Sequence, residues 1–477
     1  MNRKHSRIEN LVLALVFAAG LMAAGCGGSG GGGGDDGGGN ICNGKMVCDG
    51  NGNCTLTGTF CKDLTLTSDA NGDGVNEQRF LLSGGVFIGN DRAETVITIQ
   101  EGTTIYGLNG TPPGMLVIRR GSKIRAVGTA AKPIVFTSAN NVGNRSPGDW
   151  GGLILNGRAP VNICGAAPCD GKETPHGEGA SGPYGGDDPA DSSGILKYVR
   201  VEYAGHVFTS DDELNGIAFQ GVGSGTTIEY IQVHRNKDDG IEMFGGNVNM
   251  KYALVTGCVD DSFDWTFGWN GMAQFVVLQQ YTDASDNGIE ADNNEQIMNA
   301  TPSSHPLLAN FTVIGQPSSA NSDIGVLLRH GTEAEIYSSI VLGFEEAGLD
   351  IDSQVTWDKA YTAGPTLTGD LTITKSIVWD ANGGATKEFK GADEAAVVQP
   401  RTVEQWFLND NAGNQVVDPL IVNPFNQLTP DYRPQAGSPA LVAATLPVDP
   451  FFTAVNYLGA MDDTTDWTAG WTTHDQN

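Results

Sequence analysis

Carboxylate side chains that recur in the middle of the chain are the residues best suited to chemistry. Three copies of the pattern Asp-(Asp/Asn)-x-x-(Asp/Glu) supply Asp238, Asp239 and Glu242, then Asp260, Asp261 and Asp264, and finally Asp286 and Glu290. If these copies stack one strand spacing apart, each carboxylate pair repels by about 1 kcal/mol in water, and by more where solvent is excluded. A divalent cation, raised pKa values, or the neighbouring bases Arg235 and Lys237 would relieve the repulsion.

Calcium is the metal that this pattern favours. The repeated pattern offers hard carboxylate oxygens and no His or Cys ligand, which matches the preference of Ca²⁺. The competing interpretation is that Asp and Asn in these turns accept backbone hydrogen bonds and stay solvated. Both interpretations remain open from the sequence.

A second oxygen-rich segment lies nearer the N-terminus. Asp69, Asn71 and Asp73 occupy the first, third and fifth positions of a segment similar to the first half of an EF-hand loop. The twelfth position is Phe80 instead of the bidentate Glu, and the flanking residues have the pattern of strands. The segment is compatible with a weak calcium site and equally with a turn stabilised by its own Asp and Asn side chains.

The carboxylates can meet only if the segments that carry them stack. Short β-rich segments with a common pattern begin at Leu196, Ile228, Met250 and Ala273, with further copies around Phe311 and Tyr337. The alignment gives an aromatic column of Tyr198, Tyr230, Tyr252, Phe275, Phe311 and Tyr337. It also gives an aliphatic column of Val201, Val233, Val255, Leu278, Ile314 and Ile340. We expect the aromatic rings to stack in the interior.

This repeat predicts an all-β solenoid. Units of about 22 residues contain short strands separated by Gly, Asn and Asp turns, without the periodicity of a crossover helix. Helical solenoids are therefore excluded, and a β-propeller would need blades of about 40 residues. Units stacked at ~4.8 Å bury one continuous core. We predict a parallel β-helix over residues 63–460, with projecting loops, followed by a tail at 461–477.

Cysteine usage agrees with an exported protein. Four cysteines lie in a Cys-rich segment at residues 41–62, namely Cys42, Cys48, Cys54 and Cys61. Their spacing does not match a structural zinc site, so we expect two disulfide bonds of undetermined connectivity. A third disulfide is expected between Cys164 and Cys169. Cys258 lies in a repeat that should be buried, where a packed thiol is expected.

The N-terminus has the layout of a secretory signal. Basic residues precede an apolar run from Leu11 to Met22 that is too short to span a bilayer, and small residues then lead into Cys26. We predict a signal peptide at residues 1–25 and a flexible Gly-rich tether at residues 26–40. The sequence Ala-Ala-Gly-Cys resembles a bacterial lipobox, which implies that Cys26 is lipidated. In the lipoproteins that this motif resembles, Asp directly after the lipidated Cys is associated with retention in the inner membrane. Gly27 occupies that position here, which favours the outer membrane, with the leaflet undetermined.

Charge limits the partners that the protein can have. The 477 residues include 27 Lys and Arg against 56 Asp and Glu, which gives a formal net charge of -29. Such a chain is repelled by nucleic-acid backbones and by anionic membrane surfaces, so neither is expected as a direct partner. Attachment to the outer membrane is expected only through the lipid.

Several stretches carry a resemblance to a known family. Residues 98–105, 150–160, 184–188, 236–242 and 432–439 resemble exported bacterial right-handed parallel β-helix proteins of the pectate-lyase-like superfold. Many members of that family are lipoproteins, and their biochemical role is unsettled. The resemblance implies the fold and the export, and it transfers no catalytic residue.

Catalysis is the alternative that similar β-helices suggest. In polysaccharide lyases calcium binds a substrate uronate while Arg or Lys removes a proton, and in polygalacturonases paired Asp residues act as acid and base. That likeness would make Lys237, Arg235 or Arg329 a lyase base. The Gly-His-Gly and Arg-Ile-Lys signatures of polygalacturonases are absent. Asp pairs repeated on consecutive coils are also more typical of a structural element than of one active site.

The sequence therefore favours a surface-anchored β-helix lipoprotein without catalytic activity. We expect it to bind extracellular glycans or a surface protein, with calcium as the cofactor. The alternative function is that of a polysaccharide lyase or glycoside hydrolase acting on acidic polysaccharides.

Overall fold

The structure is a computed structural model that describes residues 41–69, 74, 76–164, 175–209, 212–283, 285–361, 366–381, 387–390 and 401–477. The expected signal peptide, Cys26 and the Gly-rich tether lie outside the described residues, as do Asn71, Asp73 and Cys169. Among the residues that are described, no helix is both long enough and apolar enough to cross a membrane.

Short β-strands in one sheet of 26 strands make up most of the described secondary structure. The strands are Lys45–Cys48, Asn53–Phe60, Leu64–Leu66, Arg79–Ile88, Val96–Ile99, Thr104–Gly107, Met115–Ile118, Lys123–Val127, Ile134–Ser138, Gly152–Asn156, Gly194–Glu202, Ile217–Val222, Thr227–His234, Ile241–Gly246, Asn249–Thr256, Phe263–Thr266, Met272–Gln279, Ile289–Ala291, Leu307–Ile314, Ile324–Leu328, Ala334–Tyr337, Ile340–Leu342, Ala347–Ile351, Leu371–Thr374, Ile377–Trp379 and Gln415–Val416. Among these strands only Lys45–Cys48 pairs antiparallel, with Asn53–Phe60. The sheet confirms the prediction of an all-β, right-handed parallel β-helix.

Two-stranded hairpins and short helices make up the rest of the described secondary structure. Three two-stranded hairpins pair His176–Gly177 with Gly182–Pro183, His206–Thr209 with Asp212–Leu214, and Ile421–Asn423 with Asp431–Pro434. The described helices are a 3₁₀ turn at Glu178–Ala180, α-helices at Gln354–Ala360 and Val403–Gln405, and a π-helical turn at Trp406–Asp410. The helices are too short to replace the sheet as the organising element.

Each coil places its strands over those of the coil before it. Ile217 pairs with Ile241, Ile241 with Phe263, and Phe263 with Ile289. These four side chains are at most 1% exposed and belong to the largest apolar cluster. Because side chains alternate between the two faces of a strand, the residues that follow them point outward. The core is thus a stack of identical positions.

A column of aromatic rings lies at a bend within the long strands. Tyr198, Tyr230, Tyr252 and Phe275 have left-handed φ values of 50°, 54°, 59° and 63°. Consecutive ring centroids are 4.5, 4.4 and 5.0 Å apart. The left-handed bend, which costs about 1–2 kcal/mol per non-Gly residue, turns these rings away from the core. The expectation that they stack in the interior is therefore wrong.

The aromatic column also ends earlier than the sequence alignment predicts. Val276 pairs with Phe311, so Asn310 follows Phe275 at the bend, with φ of 57°. Ser338, with φ of 50°, occupies the next bend. Phe311 and Tyr337 thus lie one residue away from the positions assigned to them, because the long insertion before residue 307 hides the register.

The aliphatic column carries the same shift of one residue. Leu278 pairs with Val313, and Val313 pairs with Val341. Ile314 and Ile340, which the alignment assigns to this column, point to the other face of their strands. A slip of one residue moves a side chain from the core to the outside, so this correction matters for the later coils.

The C-terminal residues lie along the outside of the coil. The parallel sheet ends at Gln415–Val416, so the coil does not continue to residue 460 as expected. Residues 417–477, here called the strap, are held by amide side chains of the coil. Gln279 donates to the carbonyl oxygens of Pro424 and Asn426, and Gln274 donates to that of Thr453. The strap therefore satisfies polar groups that the outer surface of the strands presents.

The cysteines at the start of the coil are bonded. The disulfides are Cys42–Cys61 and Cys48–Cys54, which confirms two bonds in the cluster and supplies their connectivity. Cys164 is also disulfide-bonded. Cys258 is free and buried, and burial raises the pKa of its thiol to about 12. This thiol is inert at neutral pH and packs as a small apolar side chain.

Removing one ring from the aromatic column should weaken the stack measurably. Tyr230 stacks on both Tyr198 and Tyr252, so Tyr230→Ala loses two ring pairs worth about 0.5–1.5 kcal/mol each. We expect the free energy of unfolding in urea, followed by circular dichroism, to fall by about 1–3 kcal/mol. Val142→Ala, at a side chain that is 76% exposed, is the matched control and should change little. Equal stability of the two variants would contradict the stacking account.

Candidate functional site

The repeated carboxylates form a column on the outside of the coil. Glu242 pairs in register with Asp264, and Asp264 with Glu290. Each follows an inward apolar residue in its strand, so alternation directs all three outward on the same face. The structure thus brings together the acidic side chains that the repeat predicts.

The Asp pairs precede these strands and join successive turns. The backbone N–H of Asp261 donates to Oδ1 of Asp239 at 3.0 Å, and that of Asn287 donates to Oδ1 of Asp261 at 2.6 Å. One carboxylate oxygen of each Asp thereby satisfies the backbone of the next coil. The interpretation that Asp side chains in these turns accept backbone hydrogen bonds therefore accounts for Oδ1 of Asp239 and of Asp261. The second oxygen of each of these two carboxylates takes no part in these bonds.

The carboxylates surround a cavity of about 260 Å³. Its lining consists entirely of acidic residues: Glu178, Glu213, Asp238, Asp239, Glu242, Asp260, Asp261, Asp264, Asp286 and Glu290. Four overlapping groups of three place one oxygen per residue within 4.8 Å of the others. The groups are Asp238–Asp239–Asp260, Asp239–Glu242–Asp264, Asp260–Asp261–Asp286 and Asp261–Asp264–Glu290. This acidic cavity has the oxygen density that a hard cation requires.

Two of the lining residues, Glu178 and Glu213, are not predicted by the repeated sequence pattern. Glu178 lies in the 3₁₀ turn between strands His176–Gly177 and Gly182–Pro183, and Glu213 lies in the hairpin strand Asp212–Leu214. The N–H of Gly179 donates to Oδ1 of Asp212 at 2.6 Å, which ties the two projections together. Glu213 could have been suspected from the acidic run around it, whereas nothing in the sequence singles out Glu178.

Burial and mutual repulsion hold protons on the carboxyl groups. Burial raises the pKa of Glu178 to about 9, with Asp238 adding to the shift. Burial raises the pKa of Asp238 to about 8 and that of Asp286 to about 7, with Asp260 contributing to both. The pKa values of Asp239, Glu242, Asp261, Asp264 and Glu290 are also raised, chiefly by burial. Without a cation the cavity is therefore partly protonated at neutral pH.

Basic residues compensate the cavity carboxylates only in part. Arg329 forms ion pairs with Glu290 and Asp292, and these carboxylates raise its pKa although desolvation opposes them. Arg235, an expected compensating base, instead pairs with Asp283 at 2.7 Å. Lys237 lowers the pKa of Asp238 without overcoming its burial. The expectation that Arg235 relieves the acidic column is wrong because its side chain pairs elsewhere.

One cavity oxygen has no partner that would explain its burial. Within the part of the chain that the structure describes, Oδ1 of Asp264 is buried and finds no hydrogen-bond donor. Its neighbour Glu242 is bonded by the amide of Asn215, whose own Oδ1 is also buried without a partner. Unsatisfied buried oxygens cost free energy, and a cation in the cavity would satisfy that of Asp264 directly.

Asp69, the first residue of the EF-hand-like segment, is not among the residues that line the acidic cavity. Oδ2 of Asp69 accepts a hydrogen bond from the N–H of Gly74 at 2.8 Å, as in a turn stabilised by Asp. Asn71 and Asp73 lie outside the described residues. A metal at this segment stays a prediction.

A comparison with family models identifies the class of the protein. Residues 66–417 match the family described as pectate-lyase like beta helix domain, so the chain belongs to that family. No curated protein matches the chain, and no solved structure matches it either. Membership of the family accounts for the β-helical coil. The match assigns no role to the acidic cavity, so the function of the cavity is inferred from the residues that line it.

Alkaline pH should destabilise the metal-free protein. A carboxyl with a folded-state pKa above its unfolded value near 4 contributes stability that is lost as pH rises through the folded value. Between pH 7 and 9.5, Asp238 and Glu178 titrate at about 8 and about 9. Each should lower the free energy of unfolding by about 1.4 kcal/mol per pH unit until it ionises. Urea unfolding in chelator at several pH values measures the slope.

A variant separates the cavity from other groups that titrate in this range. His305, whose pKa Glu333 and Glu335 raise to about 9, contributes a loss of the same sign. Asp238→Asn removes one cavity carboxyl and leaves His305 unchanged. We expect a shallower slope in Asp238→Asn than in the wild type. Parallel slopes would show that the cavity carboxyls ionise normally.

Proposed function

We propose that this β-helix is a calcium-binding module without catalytic activity that binds acidic glycans outside the cell. The single observation that supports the calcium site is the cavity lined by ten carboxyl groups with one bonded Arg at its edge. A divalent cation would replace the protons that the carboxyls otherwise retain, and it would bond the buried oxygen of Asp264.

We propose an acidic glycan as the ligand because a cation in this cavity would be accessible from solvent. The cavity is open to solvent, and the turn Glu178–Ala180 and the strand Asp212–Leu214 contribute Glu178 and Glu213 to its wall. A cation held in this opening keeps coordination positions for ligands that are not protein, and carboxylate groups of a glycan are hard oxygen ligands. The same glycan without the cation would be repelled by the net charge of -29. Binding is therefore calcium-dependent.

We also propose that the module is anchored to the outer membrane. The support is the sequence: the lipobox-like residues before Cys26 and the Gly-rich tether that follows. Lipid at Cys26 and a flexible tether would let the coil reach glycans or a surface protein at a distance from the membrane.

Catalysis is the second candidate function, and the raised pKa values are the observation in its favour. Glu178 and Asp238 retain protons at neutral pH, as a general acid for glycoside hydrolysis must. Two of the three expected lyase bases fit less well, because Arg329 is bonded to Glu290 and Asp292 while Arg235 is bonded to Asp283. Lys237, the third, lowers the pKa of Asp238. Incubation with polyuronates should accordingly release neither unsaturated products nor reducing ends.

Calcium should bind the wild-type protein and raise its melting temperature. At a concentration 100 times the dissociation constant, one bound ion adds about 2.7 kcal/mol to the free energy of unfolding. Calorimetric titration should also show proton release at pH 7, since the ion displaces protons from the cavity. Asp264→Asn should weaken binding by about tenfold or more, because it removes a central ligand.

The control for this titration is Glu101→Gln. Glu101 faces Lys132 in an exposed turn, so the substitution removes the same charge without touching the cavity. Equal melting temperatures in calcium and in chelator for the wild type would refute the metal site. Equal losses of affinity in Asp264→Asn and Glu101→Gln would show that calcium responds to net charge alone.

Glycan binding should require calcium. On a glycan array, the protein lacking residues 1–40 should bind acidic polysaccharides in calcium and lose that binding in chelator. Neutral glycans serve as the comparison, because they lack the carboxylates that would ligate the ion. Calcium binding without any glycan signal would leave the metal site intact and refute the glycan as its ligand.

A further inference from the structure

The last residues of the strap cover the aromatic column. Trp471 packs edge-on against Tyr198 and Tyr230, with ring centroids 5.6 and 6.3 Å apart. Trp467 packs against Tyr252 with a centroid distance of 5.6 Å. Trp471 is 1% exposed although it lies on the outside of the coil. Residues 463–477, here called the terminal arm, therefore form a specific cover on this face.

Hydrogen bonds fix the backbone of the terminal arm to the coil. Gln232 donates from Nε2 to the carbonyl of Thr473 at 2.7 Å and accepts the N–H of Thr473 at 2.9 Å. The hydroxyl of Tyr203 donates to the carbonyl of Asp475 at 2.7 Å. The arm is thus docked by side chains of the coil and not by sheet pairing, and it can leave without breaking a strand.

Two imidazoles lie where the arm meets the coil. His234 is fully buried, with Nε2 2.6 Å from the carbonyl oxygen of Asp475 and Nδ1 2.8 Å from the hydroxyl of Thr256. The carbonyl only accepts, so Nε2 carries a proton, and in the neutral ring Nδ1 then accepts from the Thr256 hydroxyl. The ring of His474 lies 6.5 Å from that of His234, and its Nδ1 is buried without a partner. Both sites fit neutral rings.

Charged groups around the two rings do not reverse this preference. The titratable groups around the pair are Arg200, Glu202 and Arg235 on the coil, Tyr203 and Tyr281 at the ring edges, Tyr432 on the strap, and Asp466 and Asp475 on the arm. Burial lowers the pKa of His234 to about 3 despite its bond to the Asp475 carbonyl. Burial lowers the pKa of His474 to about 4 despite Asp466 and Asp475.

We infer that the terminal arm is a cover that acid releases from the aromatic column, with His234 and His474 as the groups that take up the protons. Docking buries the ring of His234 completely and that of His474 in part, which favours the neutral form of each, whereas release exposes both to water. Acid therefore favours the released arm, which uncovers Tyr198, Tyr230 and Tyr252. This inference is independent of calcium and of the acidic cavity.

The direction and size of the effect follow from linkage. In the released state each imidazole titrates near its ordinary pKa of about 6.5. Docking is therefore complete above that pH and is lost as pH falls toward the docked values of about 4 and about 3. From pH 7.5 to 5.0 each histidine should weaken docking by about thirtyfold, and the two together by roughly a thousandfold.

Hydrogen exchange of the mature, lipidated protein tests the inference directly. The amide of Thr473 reports docking because it donates to Gln232. Its protection, corrected for the intrinsic effect of pH, should fall by roughly a thousandfold from pH 7.5 to 5.0. Strand Met272–Gln279 in the coil should keep its protection at both pH values.

Substitutions assign the effect to the two rings. His474→Gln lies near the end of the arm and cannot unfold the coil, and it should remove about thirtyfold of the loss. Adding His234→Gln should make the protection of Thr473 nearly independent of pH. His176→Gln, at an exposed histidine, should change nothing. Constant protection of the wild type, or an unchanged loss in the double variant, would overturn the inference.

Discussion

The stacking of coils at one strand spacing is the constraint on which the rest of the molecule depends. It makes each strand residue the neighbour of its counterpart on the next coil, as Val233 is of Val255, so one type of side chain is repeated along the solenoid. In the interior this repetition stabilises the fold, because Ile241, Phe263 and Ile289 stack in one buried apolar column. Outside, the same geometry stacks tyrosines on one face and carboxylates on another. Contacts between neighbouring rings of the aromatic column stabilise the fold, whereas repulsion between neighbouring carboxylates destabilises it.

The carboxylate column therefore lowers the stability of the fold, because it holds acidic side chains close together. Backbone N–H groups occupy one oxygen of Asp239 and one of Asp261, and Arg329 neutralises only the end near Glu290. The remaining charge is suppressed by protons, as the raised pKa of Asp238 shows. Such conflicts between local chemistry and folding concentrate at functional sites. The hairpins that add Glu178 and Glu213 increase the conflict, which is hard to explain for a purely structural surface.

The sequence predicts the features that repeat and misses those that do not. The coil, the pairing of Glu242 with Asp264 and the disulfide-bonded start all follow from spacing. The register of Phe311 does not, because a long insertion precedes it and the pattern alone cannot fix a shift of one residue. Glu178 and the strap are unpredictable for a stronger reason. Their contacts with the coil join residues far apart in sequence that share no pattern, so only the folded chain places them together.

The strap also has a consequence for the order in which the molecule can be assembled. Trp471 and Thr473 contact Tyr198 and Gln232, so residues that follow the coil in the sequence complete the surface of the middle coils. During folding the coils up to Gln232 can stack before residues 463–477 dock, but their outer face stays open until those residues are in place. Until then the rings of Tyr198 and Tyr230 face solvent, so the surface of these coils is completed by contacts between residues 241 positions apart, as Gln232 and Thr473 are, and not by neighbouring repeats alone.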